Sequence, residues 1–358
     1  MDSDRRRAMT PPVTGPLAPM GADETPGPAV DILDMETPRQ RTHHRSPGSL
    51  RAVLVALALL TAACSRGGSE STATPASTSE TSATTTATDS VTSPETSENS
   101  PAVAAAVELD LSNVKAGVEP AGDAVAGEID TPDGRVRSYH LYVPSGLGDE
   151  PVPLLVALHG GLGSGPQFEK DSGFDRLAEA NGFVVVYPDG IPIVEGRDNR
   201  VWNGGGCCGP AVENRQDVDD VAFISSVIDE VEAAYPVDGS RVYVTGHSNG
   251  GIMAYRLACE LSGRVVAVAF QAGSLEVEPC RPERPVSLLA LHGLADTNIP
   301  IDGGRGSGVA NYSFNSPRES VETLAELDGC RSRLPLADPT NPDISGFRWT
   351  DCDEGTAV

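Results

Sequence analysis

The residues best suited to chemistry in this 358-residue chain are Gly246-His247-Ser248-Asn249-Gly250. A β-branched run from Arg241 to Thr245 leads into them, and an Ala-, Leu- and Met-containing stretch follows. A serine hydroxyl is a weak nucleophile until an adjacent base takes its proton. A G-x-S-x-G between a buried strand and a helix places that hydroxyl on a sharp turn above a sheet edge, and the small flanking residues let backbone pass close by. The spacing therefore predicts Ser248 as a nucleophile for acyl transfer.

Such chemistry needs two more parts, and the sequence offers candidates for both. A tetrahedral oxyanion is stabilised by two preaimed N–H donors, one from the residue after the nucleophile and one from an earlier strand-end loop. Leu158-His159-Gly160-Gly161 follows an apolar run, so the predicted donors are the backbone of Asn249 and of Gly160, Gly161 and Leu162. An acid that orients the base comes after a late strand in the chain order Ser, acid, His. Asp296 in "LHGLADTNIP" fits that place, and Asp302 competes with it locally. No His lies near the cysteines in a zinc-like spacing, which makes metal binding the weaker account of them, and the glycines fit no phosphate-cradling pattern.

The elements that must hold these residues are readable from periodicity. "VRSYHLYVP" alternates as a half-buried strand, whereas "PLLVALHGG", "FVVVYPDG", "RVYVT", "VVAVAFQAG" and "VSLLALHG" are apolar runs suited to burial on both faces of a sheet. Val221, Ile224, Ile228, Val231 and Tyr235 recur at helical spacing behind Asp217, Asp219 and Asp220, which read as first-turn helix acids. Ser316-Pro317-Arg318-Glu319 is a capping box, and Gly329 ends its helix. Buried strands alternating with helices predict an α/β fold, a mostly parallel sheet with helices on both faces.

Taken in order, "HGG" after a strand, "WNGGGCCG", "VDDVAF", "GHSNGG" and "HGxxDxxIP" resemble the secreted polyhydroxybutyrate depolymerase and feruloyl-esterase-like family of α/β-hydrolases, many of them bacterial lipoproteins. The resemblance covers roughly residues 125 to 358. It implies the α/β-hydrolase fold, ester hydrolysis through a Ser-Asp-His triad without a cofactor, and substrates such as polyester oligomers or acylated polysaccharides. It also places Trp202 and the Cys207-Cys208 loop near the acyl site, with His159 and His247 flanking the hole and the nucleophile. A disulfide-pinned loop on the sheet is the competing account of Trp202 and those cysteines.

The family pattern ends with a His just after the last strand. The six histidines of this chain are His43, His44, His140, His159, His247 and His292, and "DCDEGTAV" resembles only the approach to that strand. The expectation is an incomplete last strand and no triad His, hence little turnover. A non-catalytic remnant or binding module of the same fold is therefore the main alternative, and a serine peptidase a weaker one.

Composition frames the domain. Residues 1–63 hold seven Arg against seven Asp or Glu, so the net charge of −25 belongs to the rest of the chain and argues against nucleic acid as a partner. Arg45, Arg51 and the apolar run Ala52 to Ala63 read as a signal peptide too short to span a bilayer, with Met35 a candidate true start. Thr61-Ala62-Ala63-Cys64 resembles a bacterial lipobox, which makes Cys64 the lipid attachment site. Residues 64–105 read as a disordered Ser/Thr-rich tether and 106–358 as the hydrolase domain, a monomer at the outer cell surface or secreted. The six other cysteines are expected to form disulfides, with Cys259–Cys280 and Cys330–Cys352 as sequence-local pairs.

Overall fold

The computed structural model describes residues 114–194, 196–208, 218–308, 310–337 and 341–358. The leader, Met35, His43, His44, Cys64 and the tether lie outside the described residues.

Seven strands form the central sheet: β1 (Asp123–Asp130), β2 (Val136–Val143), β3 (Val152–Leu158), β4 (Val184–Pro188), β7 (Val237–His247), β8 (Val265–Gln271) and β9 (Ser287–Leu291). Their spatial order is β1-β2-β4-β3-β7-β8-β9. β4, β3, β7, β8 and β9 run parallel, while β1 and β2 are antiparallel additions at one edge. Continuous apolar runs become the inner strands because both faces are covered, as the mostly parallel reading requires.

Alternation along β3 shows the two layers. Leu154, Val156 and Leu158 enter one core with Phe223, Ile224 and Ile228 of α3 (Asp220–Ala234), Met253 and Leu257 of α4 (Asn249–Glu260) and Leu324 of α5 (Pro317–Leu327). Leu155 and Ala157 enter the opposite core with Phe168 of α1 (Gly165–Ser172) and with Phe174 and Ala178 of α2 (Phe174–Asn181). Asp219 caps α3 by accepting from Ala222 N–H at 2.9 Å, and Ser316 caps α5 by accepting from Glu319 N–H at 3.2 Å. Each such cap contributes about 1 kcal/mol.

Short strands decorate the sheet. β5 (Ile191–Pro192) pairs with β6 (Arg200–Val201), β10 (Gly304–Arg305) with β11 (Ser313–Phe314), and β12 (Ser332–Ala337) with β13 (Ser345–Thr350). At the β9 edge, Leu288 N–H donates to Ala357 O at 2.9 Å, and Trp349 and Val358 exchange backbone hydrogen bonds. Ala357 and Val358 thus lie between β9 and β13, where the sequence places the approach to a last strand. Cys259–Cys280 and Cys330–Cys352 are bonded, and Cys207–Cys208 is a third, vicinal disulfide.

Candidate active site

Ser248 stands at the junction of β7 and α4 with φ +54° and ψ −117°. A non-glycine residue holds such a conformation only where its surroundings impose it. They do so here through backbone packing. A Cβ on Gly246 would lie 2.4 Å from Gly250 O, and one on Gly250 would lie 2.3 Å from Leu158 O. Ser248 N–H donates to Gln271 O at the end of β8 (2.8 Å), tying the turn to the next strand. Although Ser248 occupies the N-cap of α4, its hydroxyl makes no capping hydrogen bond.

The loop after β3 folds over this turn. A Cβ on Gly160 would lie 3.2 Å from His247 Cδ2, and one on Gly161 would lie 3.5 Å from Asn249 Cβ. Leu162, at φ +71°, closes a tight turn in which Gly163 N–H donates to Gly160 O (3.0 Å). Leu162 N–H itself donates to Arg200 O at 2.7 Å. That removes Leu162 from the expected donors, because an N–H spent on a carbonyl is not open to an oxyanion. Gly160, Gly161 and Asn249 remain.

Trp202 and His159 lie against the loop that follows β3. Trp202 is wholly buried, with Nε1–H donating to His159 O (2.9 Å). Its backbone grips Asn249 in two directions: Trp202 N–H donates to Asn249 Oδ1 (2.7 Å), and Asn249 Nδ2 donates to Trp202 O (3.1 Å). His159 is equally buried and stacks on Trp202 with ring centroids 4.8 Å apart. Both support the loop from beneath, Trp202 wholly enclosed and His159 still part of the wall of the cavity beside it.

His247 reaches the cleft. It helps to line a cavity of about 420 Å³ together with His159, Gly160, Leu162, Gln167 and Phe168. Desolvation lowers the His247 pKa, and the nearby Asp296 charge partly opposes that. Asp296 sits on the loop after β9, with Oδ1 accepting from Asn298 N–H (2.8 Å) and Ile299 N–H (3.0 Å). Its Oδ2 lies 3.6 Å from His292 Nε2, whose closer partner is Ile299 O at 2.7 Å. Asp302 instead meets Arg318 on the exposed side of α5, at 3.4 Å.

Supports that sequence reasoning missed lie below the loop. Asp220, read as a helix acid, is completely buried and accepts from Arg137 Nη2 and from Asn203 N–H, both at 2.7 Å. Arg137 also donates to Asp189 O (2.8 Å) and lies 3.9 Å over the Phe223 ring. The vicinal disulfide packs with Ile252 of α4 and Ile299 of the Asp296 loop. No helical periodicity signals such contacts, since they depend on which loops meet. Among the described residues, no group of three or more His, Cys, Asp or Glu is placed to hold a metal ion.

A parallel sheet covered on both sides, with a strained serine turn at the end of a central strand, defines the α/β-hydrolase class. Residues 137–280 match the family described as Esterase PHB depolymerase. The chain is 32% identical over 243 residues to Putative esterase NocK of Nocardia uniformis subsp. tsuyamanensis, a match covering 63% of this chain and 68% of that protein. It is 31% identical over 213 residues to Feruloyl esterase B of Piromyces equi, covering 57% of this chain but only 38% of that relative. Acetyl xylan esterase from Aspergillus awamori superposes with a TM-score of 0.42 at 17% identity, over 62% of this chain and 91% of that one. The chain belongs to the esterase PHB depolymerase family of α/β-hydrolases.

Proposed function

We propose that this chain is a carboxylic ester hydrolase in which Ser248 is the nucleophile, Asp296 the acid, and the N–H groups of Asn249 and Gly161 the oxyanion hole. The observation that carries the reading is the Ser248 turn, with its positive φ and a hydroxyl left unspent at the N-terminus of α4. Oγ attack on an ester carbonyl forms the Oγ–C bond and moves the carbonyl electrons onto oxygen. The two N–H donors and the helix dipole stabilise that charge. Collapse expels the alcohol, and water then releases the acid from the acyl-enzyme.

The proton of Ser248 is the weak point. Among the described histidines, His159 has both ring nitrogens engaged, His140 is paired with Glu169 at 2.9 Å, and His292 is turned to Ile299 O. His247 neighbours Ser248 in sequence and makes no hydrogen bond to it. In this reading Ser248, Asp296 and the two N–H donors have their roles, and the reaction needs an imidazole between Ser248 and Asp296. This engagement of the histidines is also what favours the second reading, a non-catalytic binding module on the same fold.

The substrates we infer are polyester oligomers or acylated polysaccharides, in keeping with the names of the relatives. The domain works as a monomer outside the cell, held by a lipid on Cys64 through the 64–105 tether or released. Turnover of p-nitrophenyl acetate and methyl ferulate, with and without added imidazole, tests the activity against Ser248→Ala. Imidazole-dependent turnover above the Ser248→Ala background supports the hydrolase; equal rates refute it and leave the binding module.

A further inference from the structure

His159 has nitrogen partners of opposite kinds. Gly190 N–H donates to Nε2 at 2.9 Å, so Nε2 carries no proton. Gly160 O, 2.8 Å from Nδ1, can only accept, so Nδ1 carries one. The partners fix the neutral Nδ1–H tautomer. Burial pushes the His159 pKa down to about 4, which keeps the ring neutral well into acid. Trp202 holds both ends of the residue, stacking on its ring and donating to its carbonyl.

The consequence runs through one peptide plane. The cis bonds among the described residues are Cys207–Cys208 and Glu278–Pro279, so the bond from Gly160 to Gly161 is trans. In a trans peptide the C=O and the following N–H point in opposite directions. Gly160 O is held on the inner side by His159 Nδ1–H and by Gly163 N–H. Gly161 N–H is left on the outer side, where Gly161 meets Asn249.

We propose that His159 is a positioning residue whose Nδ1–H holds the Gly160 carbonyl and thereby aims Gly161 N–H into the oxyanion hole. The inference rests on the hydrolase reading above. Without that hydrogen bond the 160–161 peptide can turn over and present a carbonyl oxygen to the developing anion. A purely structural His159 would affect folding but not the bond-forming step.

Two measurements test it. Long-range proton–nitrogen NMR correlation of the imidazoles should show His159 protonated on Nδ1 and bare on Nε2 at neutral pH; the reverse tautomer overturns the proposal. The second follows covalent labelling of Ser248 by a fluorophosphonate, with imidazole added as base, separating probe affinity from the bond-forming rate. His159→Leu should leave affinity unchanged and slow bond formation at least about tenfold, toward the 10²–10³ loss seen when a hole donor is removed. His159→Asn keeps a donor near the Nδ1 position and should recover most of the rate. Wild-type bond formation in His159→Leu, or no recovery in His159→Asn, overturns the proposal. If His159→Leu fails to fold, the tautomer and the His159→Asn rate still decide it. Undiminished labelling of Ser248→Ala would refute the hydrolase reading itself and leave the tautomer result standing.

Discussion

Replacing Asp220 by Ala removes the carboxylate that accepts from Arg137 Nη2 and from Asn203 N–H. Arg137, with its side chain 4% exposed, would keep its bond to Asp189 O and its place over Phe223 but lose its counter-charge. An unpaired buried charge costs about 3–5 kcal/mol. Asn203 N–H would lose its acceptor as well, at about 1–3 kcal/mol. The two terms share a site and do not simply add, so the expected loss is at least about 4 kcal/mol. For a domain of this size that lowers Tm by about 8–16 °C. Calorimetry or circular-dichroism melts of wild type, Asp220→Ala and the double variant Arg137→Met/Asp220→Leu provide the assay. The double variant should recover most of the loss, because an apolar pair leaves only Asn203 N–H without its acceptor. A fall below about 1 kcal/mol in Asp220→Ala, or a double variant less stable than Asp220→Ala, would refute the argument that this pair braces the loop.

Three further outcomes are expected. Gly250→Ala, with its new Cβ 2.3 Å from Leu158 O and 2.6 Å from His159 O, should push the serine turn off the Gly160 loop and abolish Ser248 labelling; labelling at the wild-type rate would contradict the packing. Reducing Cys259–Cys280 and Cys330–Cys352, which close loops of sequence separation 21 and 22, should each cost about 3 kcal/mol, read as a lower Tm in reductant. The third is a pH dependence. The buried His159 titrates at about 4 against 6.5 unfolded, so the unfolded chain binds the extra proton between those values. Its contribution, about 3 kcal/mol, is complete above pH 6.5 and lost as pH falls toward 4. Asp175 and Asp328, raised by burial to about 6, act with the opposite sign, their contribution being lost as pH rises from 3.8 toward 6. Urea titrations of wild type and His159→Asn isolate the histidine: only wild type should carry its acid-side loss, and parallel curves would contradict it.

The legibility of this chain follows from where burial is periodic. Val-rich runs such as Val184–Pro188 announced inner strands because both faces are covered, and the Asp220–Ala234 stripe announced its helix because only one face is. β1, mostly exposed along "DAVAGEID", carries no such pattern and passed unnoticed, as did the β12–β13 hairpin. Gly246, Ser248 and Gly250 were readable because a tight turn restricts residue type locally. What could not be read was depth and hydrogen-bond bookkeeping. Trp202 and His159 lie under the loop because Asn249, Gly190 and Gly160 claim their polar atoms, and Leu162 leaves the hole because Arg200 claims its N–H. Those claims are made between segments dozens of residues apart. The burial of Asp220 is of the same kind: its partner Arg137 lies 83 residues away, and nothing in "VDDVAF" shows which acid turns inward.

The central proposal is that Ser248 is the nucleophile, and fluorophosphonate labelling with peptide mapping addresses it most directly. The account predicts adduct on Ser248 alone, forming slowly in buffer and faster as imidazole is added. Adduct elsewhere, or no adduct on Ser248 at any imidazole concentration in folded protein, would contradict it.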